Sequence, residues 1–288
     1  MPIYWALMAA LSFSVGQVLV SRGLPYSNAT TAAWFTSGAS GLILWLISLT
    51  RPFPPLTLKV VLAISAAALF SPFLARLSLY MGFARLGVSR PTVVVGMSPL
   101  FAAVLAILFL GEPWTFTIGL GTVATTAGVV LLVYQKLPWS DWKKIHLVFP
   151  LFAAFCFGAR DVVARFGVKD FASPVVAAAI APTVAWLLMS PIFYVGTGEY
   201  RFHLTGKAVP LFCSAGIFYV IAYFSLFSAL SGEYVVIVAP AMHSSPLFTL
   251  ILSYLFLRKE EKPNAQLILG AVFVVLGVTI ISLARKGI

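Results

Sequence analysis

The chain has 288 residues, of which 61% are hydrophobic and only 9% charged, with a formal net charge of +11 and a mean hydropathy of +1.01. Soluble proteins of ordinary composition carry roughly a quarter charged residues, so a water-soluble globule is excluded. The charges fall between apolar runs of about 18 residues or more, each able to cross a bilayer core of roughly 30 Å, and the runs lack the alternating polarity of barrel strands.

The sequence therefore reads as an all-α polytopic membrane protein. In chain order the first half predicts spans at Ile3–Ser21, Thr30–Leu49, Lys59–Leu86, Thr92–Leu110 and Phe116–Tyr134. A polar connection, Gln135–Ile145, follows. The second half predicts Leu147–Arg165, Pro174–Val195, Lys207–Leu230, Val235–Leu257 and Gln266–Leu283. The first span lacks the basic start of a cleavable leader and is expected to be retained. Lysines and arginines lie in the short connections, where they meet headgroups and set topology, so the positive charge does not call for a nucleic-acid partner. Cys156 and Cys213 fall inside spans without a CxxC pairing and read as packing residues.

The halves repeat one another. Ser98-Pro99-Leu100-Phe101 returns as Ser245-Pro246-Leu247-Phe248, and Leu108-Phe109-Leu110 returns as Leu255-Phe256-Leu257. A glycine pair spaced by seven follows each, Gly121 and Gly128 in the first copy and Gly270 and Gly277 in the second. Seven residues is almost two helical turns, so each pair marks a face where another backbone can come close. Phe13-Ser14-Val15-Gly16 is likewise echoed by Phe155-Cys156-Phe157-Gly158, and Ser78-Leu79-Tyr80 by Ser225-Leu226-Phe227. Residues 1–136 and 147–288 are thus read as two five-helix repeats joined by a linker at 137–146. Five crossings per repeat is odd, so the second repeat enters from the opposite side and the repeats are inverted.

Two repeats with a Ser-Pro-Leu-Phe helix closing in Leu-Phe-Leu and an acidic turn resemble the EamA-type transporters of the drug/metabolite transporter superfamily. Leu110-Gly111-Glu112 matches that family's closing Leu-Gly-Glu in full, whereas Leu257-Arg258-Lys259-Glu260 departs from it by an inserted basic pair. Within the superfamily the chain is similar to the YddG-type amino-acid exporters. The resemblance implies a central cavity lined by the first, third and fourth helices of each repeat. It also implies a plasma (inner) membrane location with both termini cytoplasmic. Loop charge argues the other way. That orientation puts six basic residues inside (Arg51, Lys59, Arg165, Lys169, Arg285 and Lys286) against eleven outside, and positive charge favours the inside.

Polar groups at membrane depth are costly, so the few present are candidates for function. Arg76, four residues after Pro72, could hold a substrate carboxylate or bond carbonyls freed by the proline. Asp161 is the acid well within a span and the first proton-coupling candidate, though an ion pair with Arg165 at i,i+4 is the expected structural role. His243 and Ser244 lie between Pro240 and Pro246, which should break the ninth span, and broken helices at this depth line cavities. His243 is both a substrate contact and a proton-coupling candidate. Met97 and Ser98 are their counterparts in the first repeat. Gln17 and Phe157, with aromatic residues Tyr80 and Phe83 and the stripe Tyr219, Tyr223 and Phe227, complete the substrate-contact set. Stripes of this spacing are more often packing. Pro99, Pro240 and Pro246 are expected hinges.

The function expected is secondary transport of small organic solutes by alternating access, most naturally aromatic or apolar amino acids or related metabolites. Drugs, nucleosides or other metabolites are the alternative cargo. An intramembrane lipid-modifying enzyme would need paired acids, HExxH or a serine–histidine pair with an orienting acid, and a channel would need a ring of repeated polar residues. The sequence shows none of these and no GxxxxGK[ST] loop, so neither enzyme activity, a catalytic residue, a metal nor a cofactor is expected. The partners expected are the solute and the bilayer, with the chain a monomer.

Overall fold

The computed structural model describes residues 2–50, 53–75, 78, 94–133, 144–171, 173–195, 202–257 and 265–284. Eleven α-helices hold most of these described residues. They are α1 (Pro2–Gly23), α2 (Ala29–Leu49), α3 (Leu58–Ala68), α4 (Ser98–Leu105) and α5 (Phe116–Val133), then α6 (Val148–Val168), α7 (Pro174–Val195), α8 (Ala208–Gly232), α9 (Val235–Met242), α10 (Ser245–Leu257) and α11 (Ala265–Ala284). Wider π-helical turns extend α3 over Leu69–Leu74 and α4 over Ala106–Leu110. Among the described residues, five helices are long and apolar enough to cross a membrane and five apolar segments are shorter. The chain is a multi-pass helical membrane protein.

Helix ends follow local chemistry. The Asn28 side chain accepts from the Thr31 amide at 2.8 Å to start α2, and Thr57 caps Val60 at the start of α3. Ser71 leaves helical geometry (φ −149°, ψ 128°) because Pro72 follows it and disfavours the helical region for the residue before. Pro99 and Pro246 both stand at the second position of a helix, where a missing amide costs nothing. The expected break in the ninth span therefore lies at His243–Ser244, between α9 and α10. The fourth span is broken at the equivalent turn, Gly96–Met97, just before α4.

The two breaks share one hydrogen-bond pattern. Met97 donates its amide to Val94 and Leu100 to Met97, and Ser244 donates to Ala241 and Leu247 to Ser244, at 2.9–3.3 Å. The helix restarts only after a tight turn in both copies.

The chain forms two compact units. One comprises Met1–Leu69 and Val163–Gly232, the other Phe70–Val162 and Glu233–Ile288. Each unit draws on both sequence halves. In the first unit α1 packs along α8 and α2 along α7. Gly38 and Gly41 on α2 leave room for Trp186 and Thr183 of α7, and Trp34 and Trp45 donate to Ser190 and Thr183 at 3.0 Å. The Ser190 and Thr183 hydroxyls in turn donate to carbonyls one turn back in α7.

In the second unit α5 packs along α11, and here the glycine pairs meet. A methyl on Gly128 would lie 2.7 Å from the Gly270 carbonyl oxygen and 2.6 Å from the Val274 nitrogen. A methyl on Gly121 would lie 2.9 Å from the Gly277 oxygen. Backbone cannot yield as a side chain can. Gly128→Leu is therefore expected to cost about 3 kcal/mol, at the upper end of what overpacking costs, and to lower the thermal midpoint in detergent. Gly206→Ala, where nothing lies within 4 Å of the new methyl, should leave that midpoint unchanged.

Candidate functional site

The second unit holds a buried ionic cluster at the break between α9 and α10. Asp161 lies in α6 about two turns before that helix ends, and its side chain has no exposed surface. Its Oδ1 accepts from Arg160 Nε at 2.9 Å and Nη2 at 2.6 Å. Its Oδ2 meets His243 Nε2 at 2.9 Å. The Arg160 and His243 side chains keep 15% and 16% of their surface, so the cluster has an accessible side. The Arg160 guanidinium lies 5.8 Å over the Phe157 ring, and its Nη2 is 3.9 Å from Met242 Sδ.

The local sequence explains the approach. Gly158, one turn before Asp161, gives α6 close access to α4. A methyl there would lie 2.6 Å from the Ala102 nitrogen. α9 packs against α4 in turn, and the turn after Met242 puts the His243 ring on α6.

The expected Asp161–Arg165 pair is not what forms. Asp161 is engaged by Arg160 and His243, while Arg165 Nη1 donates to the carbonyls of Leu230 and, at 2.8 Å, Ser231. The last carbonyls of α8 have no partner inside their own helix, and a guanidinium within reach satisfies two at once.

The other candidates are distributed as follows. Met97 is exposed at the first break. Ser98 and Ser244 are buried, and their hydroxyls donate to Val95 and Ala241 at 2.5 and 2.6 Å. Pro99 and Pro240 are buried and Pro246 half-buried. Pro240 sits within α9 without interrupting it. In the first unit Gln17 is exposed on α1. There Phe13 packs against Tyr219 and Tyr223 with ring centroids 5.9 and 5.4 Å apart, Gly16 faces the Tyr219 ring, and Phe227 is buried. The stripe packs α8 on α1. Arg76, Tyr80 and Phe83 lie outside the described residues.

Two roles escaped the sequence reading. Arg160 was overshadowed by Arg165, whose i,i+4 spacing is the familiar pairing signal. Glu112 stood in the Leu-Gly-Glu motif without a role. Gly111 adopts a left-handed conformation (φ 63°) that turns the chain back. The buried Glu112 carboxylate then accepts from the Val235 and Val236 amides at 2.9 Å each. Tyr234, the residue at the cap position of α9, offers no side-chain cap of its own, so the carboxylate satisfies orphan amides and meets the positive end of the helix.

An apolar helical chain with a buried ionic cluster at a broken helix is the construction of a membrane transporter. The sequence matches the EamA-like transporter family over residues 1–134 and 144–283, and the chain belongs to that family, part of the drug/metabolite transporter superfamily. It is 23% identical over 288 residues to the pseudopaline exporter CntI of Pseudomonas aeruginosa, in strains UCBPP-PA14 and PAO1, covering 98% of this chain and 96% of each relative. A protein of known crystal structure shares its fold with a TM-score of 0.84 and 14% identity over 98% of both chains.

Replacing Glu112 by Gln leaves one acceptor oxygen where two amides need partners. Glu112→Gln should destabilise the protein by about 1–3 kcal/mol and speed hydrogen exchange of the peptide that begins at Val235, with exchange in α1 unchanged.

Proposed function

We propose that the protein is a secondary transporter that moves small organic solutes across the inner membrane by alternating access. The cargo is an aromatic or apolar amino acid or a related metabolite, and the direction is export. The observation that carries this reading is the Arg160–Asp161–His243 cluster, a partly accessible ionic site at a helix break in an otherwise apolar transporter-family chain. Export is supported by the CntI relatives, which are pseudopaline exporters. Their cargo, pseudopaline, favours other metabolites as the second reading.

The chain works as ten crossings in two inverted repeats, with both termini cytoplasmic and as a monomer. The matching hydrogen-bond pattern at Met97 and Ser244 supports the repeat, as does the family match in two segments. Pro99, Pro240 and Pro246 give each fourth helix a built-in flexing point. Asp161 and His243 carry the proton coupling, and Arg76 adds a second cation for the solute.

Purified protein in proteoliposomes is tested with a labelled panel of amino acids, nucleosides and cationic drugs, with and without a pH gradient. Saturable uptake of amino acids, stimulated by the gradient in wild type and insensitive to it in Asp161→Asn, is the expected result. The Asp161→Asn variant should retain a wild-type elution profile in detergent. Uptake confined to nucleosides or drugs would overturn the amino-acid reading, and no uptake of any solute would overturn transport itself.

A further inference from the structure

The cluster has a geometric asymmetry. A guanidinium that pairs fully with a carboxylate uses two nitrogens on two oxygens. Arg160 instead places Nε and Nη2 on Oδ1 alone, because His243 occupies Oδ2. Among the described residues Nη1 has no partner, and the side chain keeps 15% of its surface. Phe157 lies beneath the guanidinium. The cluster thus presents a free donor edge above an aromatic ring.

Charge decides what that edge can hold. With a neutral imidazole, Arg160 and Asp161 cancel. A solute carboxylate docking on Nη1 would then leave one uncompensated negative charge beside the buried Asp161, which is unfavourable. With the imidazole protonated, the cluster carries one positive charge and the same carboxylate brings it to zero.

Asp161 and Arg160 are the charged groups that face His243 from α6. Among the described residues, two further acids, Glu112 and Glu233, sit at the opposite end of α9, roughly 11 Å along it. The described parts of α4, α5 and α11 contain no charged residue. α10 contains Tyr254, roughly three turns beyond the break.

We infer that the solute carries a carboxylate which docks on Arg160, and that its binding is accompanied by uptake of one proton on His243. No covalent bond changes. The proton comes from bulk water and leaves when the carboxylate leaves, so export down the solute's own gradient carries the proton outward with it. This inference rests on the transporter reading and adds to it the chemical class of the solute and the sign of its coupling to protons.

Full-length protein in detergent is titrated calorimetrically with L-phenylalanine, 3-phenylpropionate and phenethylamine at mildly alkaline pH. Two buffers of different ionisation enthalpy give the proton count. 3-Phenylpropionate should bind with uptake of about one proton, L-phenylalanine, whose own ammonium balances its carboxylate, with a smaller uptake, and phenethylamine should neither bind nor compete. His243→Gln should bind the carboxylates more weakly with no proton uptake. Arg160→Lys should weaken their binding about tenfold or more, because a point-charge ammonium cannot reproduce the fork.

Binding of 3-phenylpropionate without proton uptake in wild type overturns the inference, as does phenethylamine binding as well as phenylpropionate. If none of the three binds, the titration is run on whichever panel solute the proteoliposomes accumulate. An accumulated solute without a carboxylate, such as uridine, overturns the inference and leaves transport standing. Absence of any accumulated solute overturns the transporter reading and the inference with it.

Discussion

A carboxylate with no exposed surface must have its charge met inside the protein, because an unpaired ion at that depth is far costlier than any packing gain. Asp161 meets that requirement from two directions, the adjacent guanidinium on α6 and the imidazole that follows α9. The position of α9 therefore depends on Asp161. Were the ring elsewhere, one carboxylate oxygen would be buried without a donor. Gly158 opens the way for α6 to reach α4, the turn after Met242 presents the imidazole, and Phe157 supports the guanidinium from below.

The same demand explains the two breaks, before α4 and between α9 and α10. Pro246 offers no amide to the helix before it, so the chain turns at His243–Ser244 and begins again. The Ser98 and Ser244 hydroxyls each take up a carbonyl three residues back, leaving fewer backbone acceptors open at the turn. At the outer end of α9, amides that lack helical partners are met by Glu112, delivered by the left-handed Gly111. Both ends of α9 are thus met by acids from distant parts of the chain, one directly through backbone amides and one through the histidine that follows it.

Contacts between helices without polar groups are made by small residues. α5 and α11 meet through Gly121, Gly128, Gly270 and Gly277, with backbone against backbone. In the first unit the aromatic stripe of α8 fills the space beside Gly16, so Tyr219 and Tyr223 contact Phe13. Lipid tails are as apolar as leucine, so burial of apolar surface gives helices little reason to associate in a bilayer, and close fit takes its place.

Much of this was legible in the sequence. Long apolar runs and the prolines Pro99 and Pro246 determined the helices and the places where two of them break, and the doubled Ser-Pro-Leu-Phe motif marked those breaks as counterparts. These features act through hydropathy and backbone chemistry, which are local. Asp161, His243 and Ser244 could be singled out for the same reason, since a polar residue in an apolar run stands out without knowledge of its neighbours. Their partners could not. Asp161 reaches across 82 residues to His243, and Glu112 across 123 to Val235, while local spacing pointed Asp161 at Arg165. That pairing lost because the open carbonyls at the end of α8 were nearer to Arg165 than any local rule could know. Which charge meets which, and which helix each acid holds in place, was decided by tertiary packing alone, because electrostatic satisfaction depends on distance in space and not along the chain.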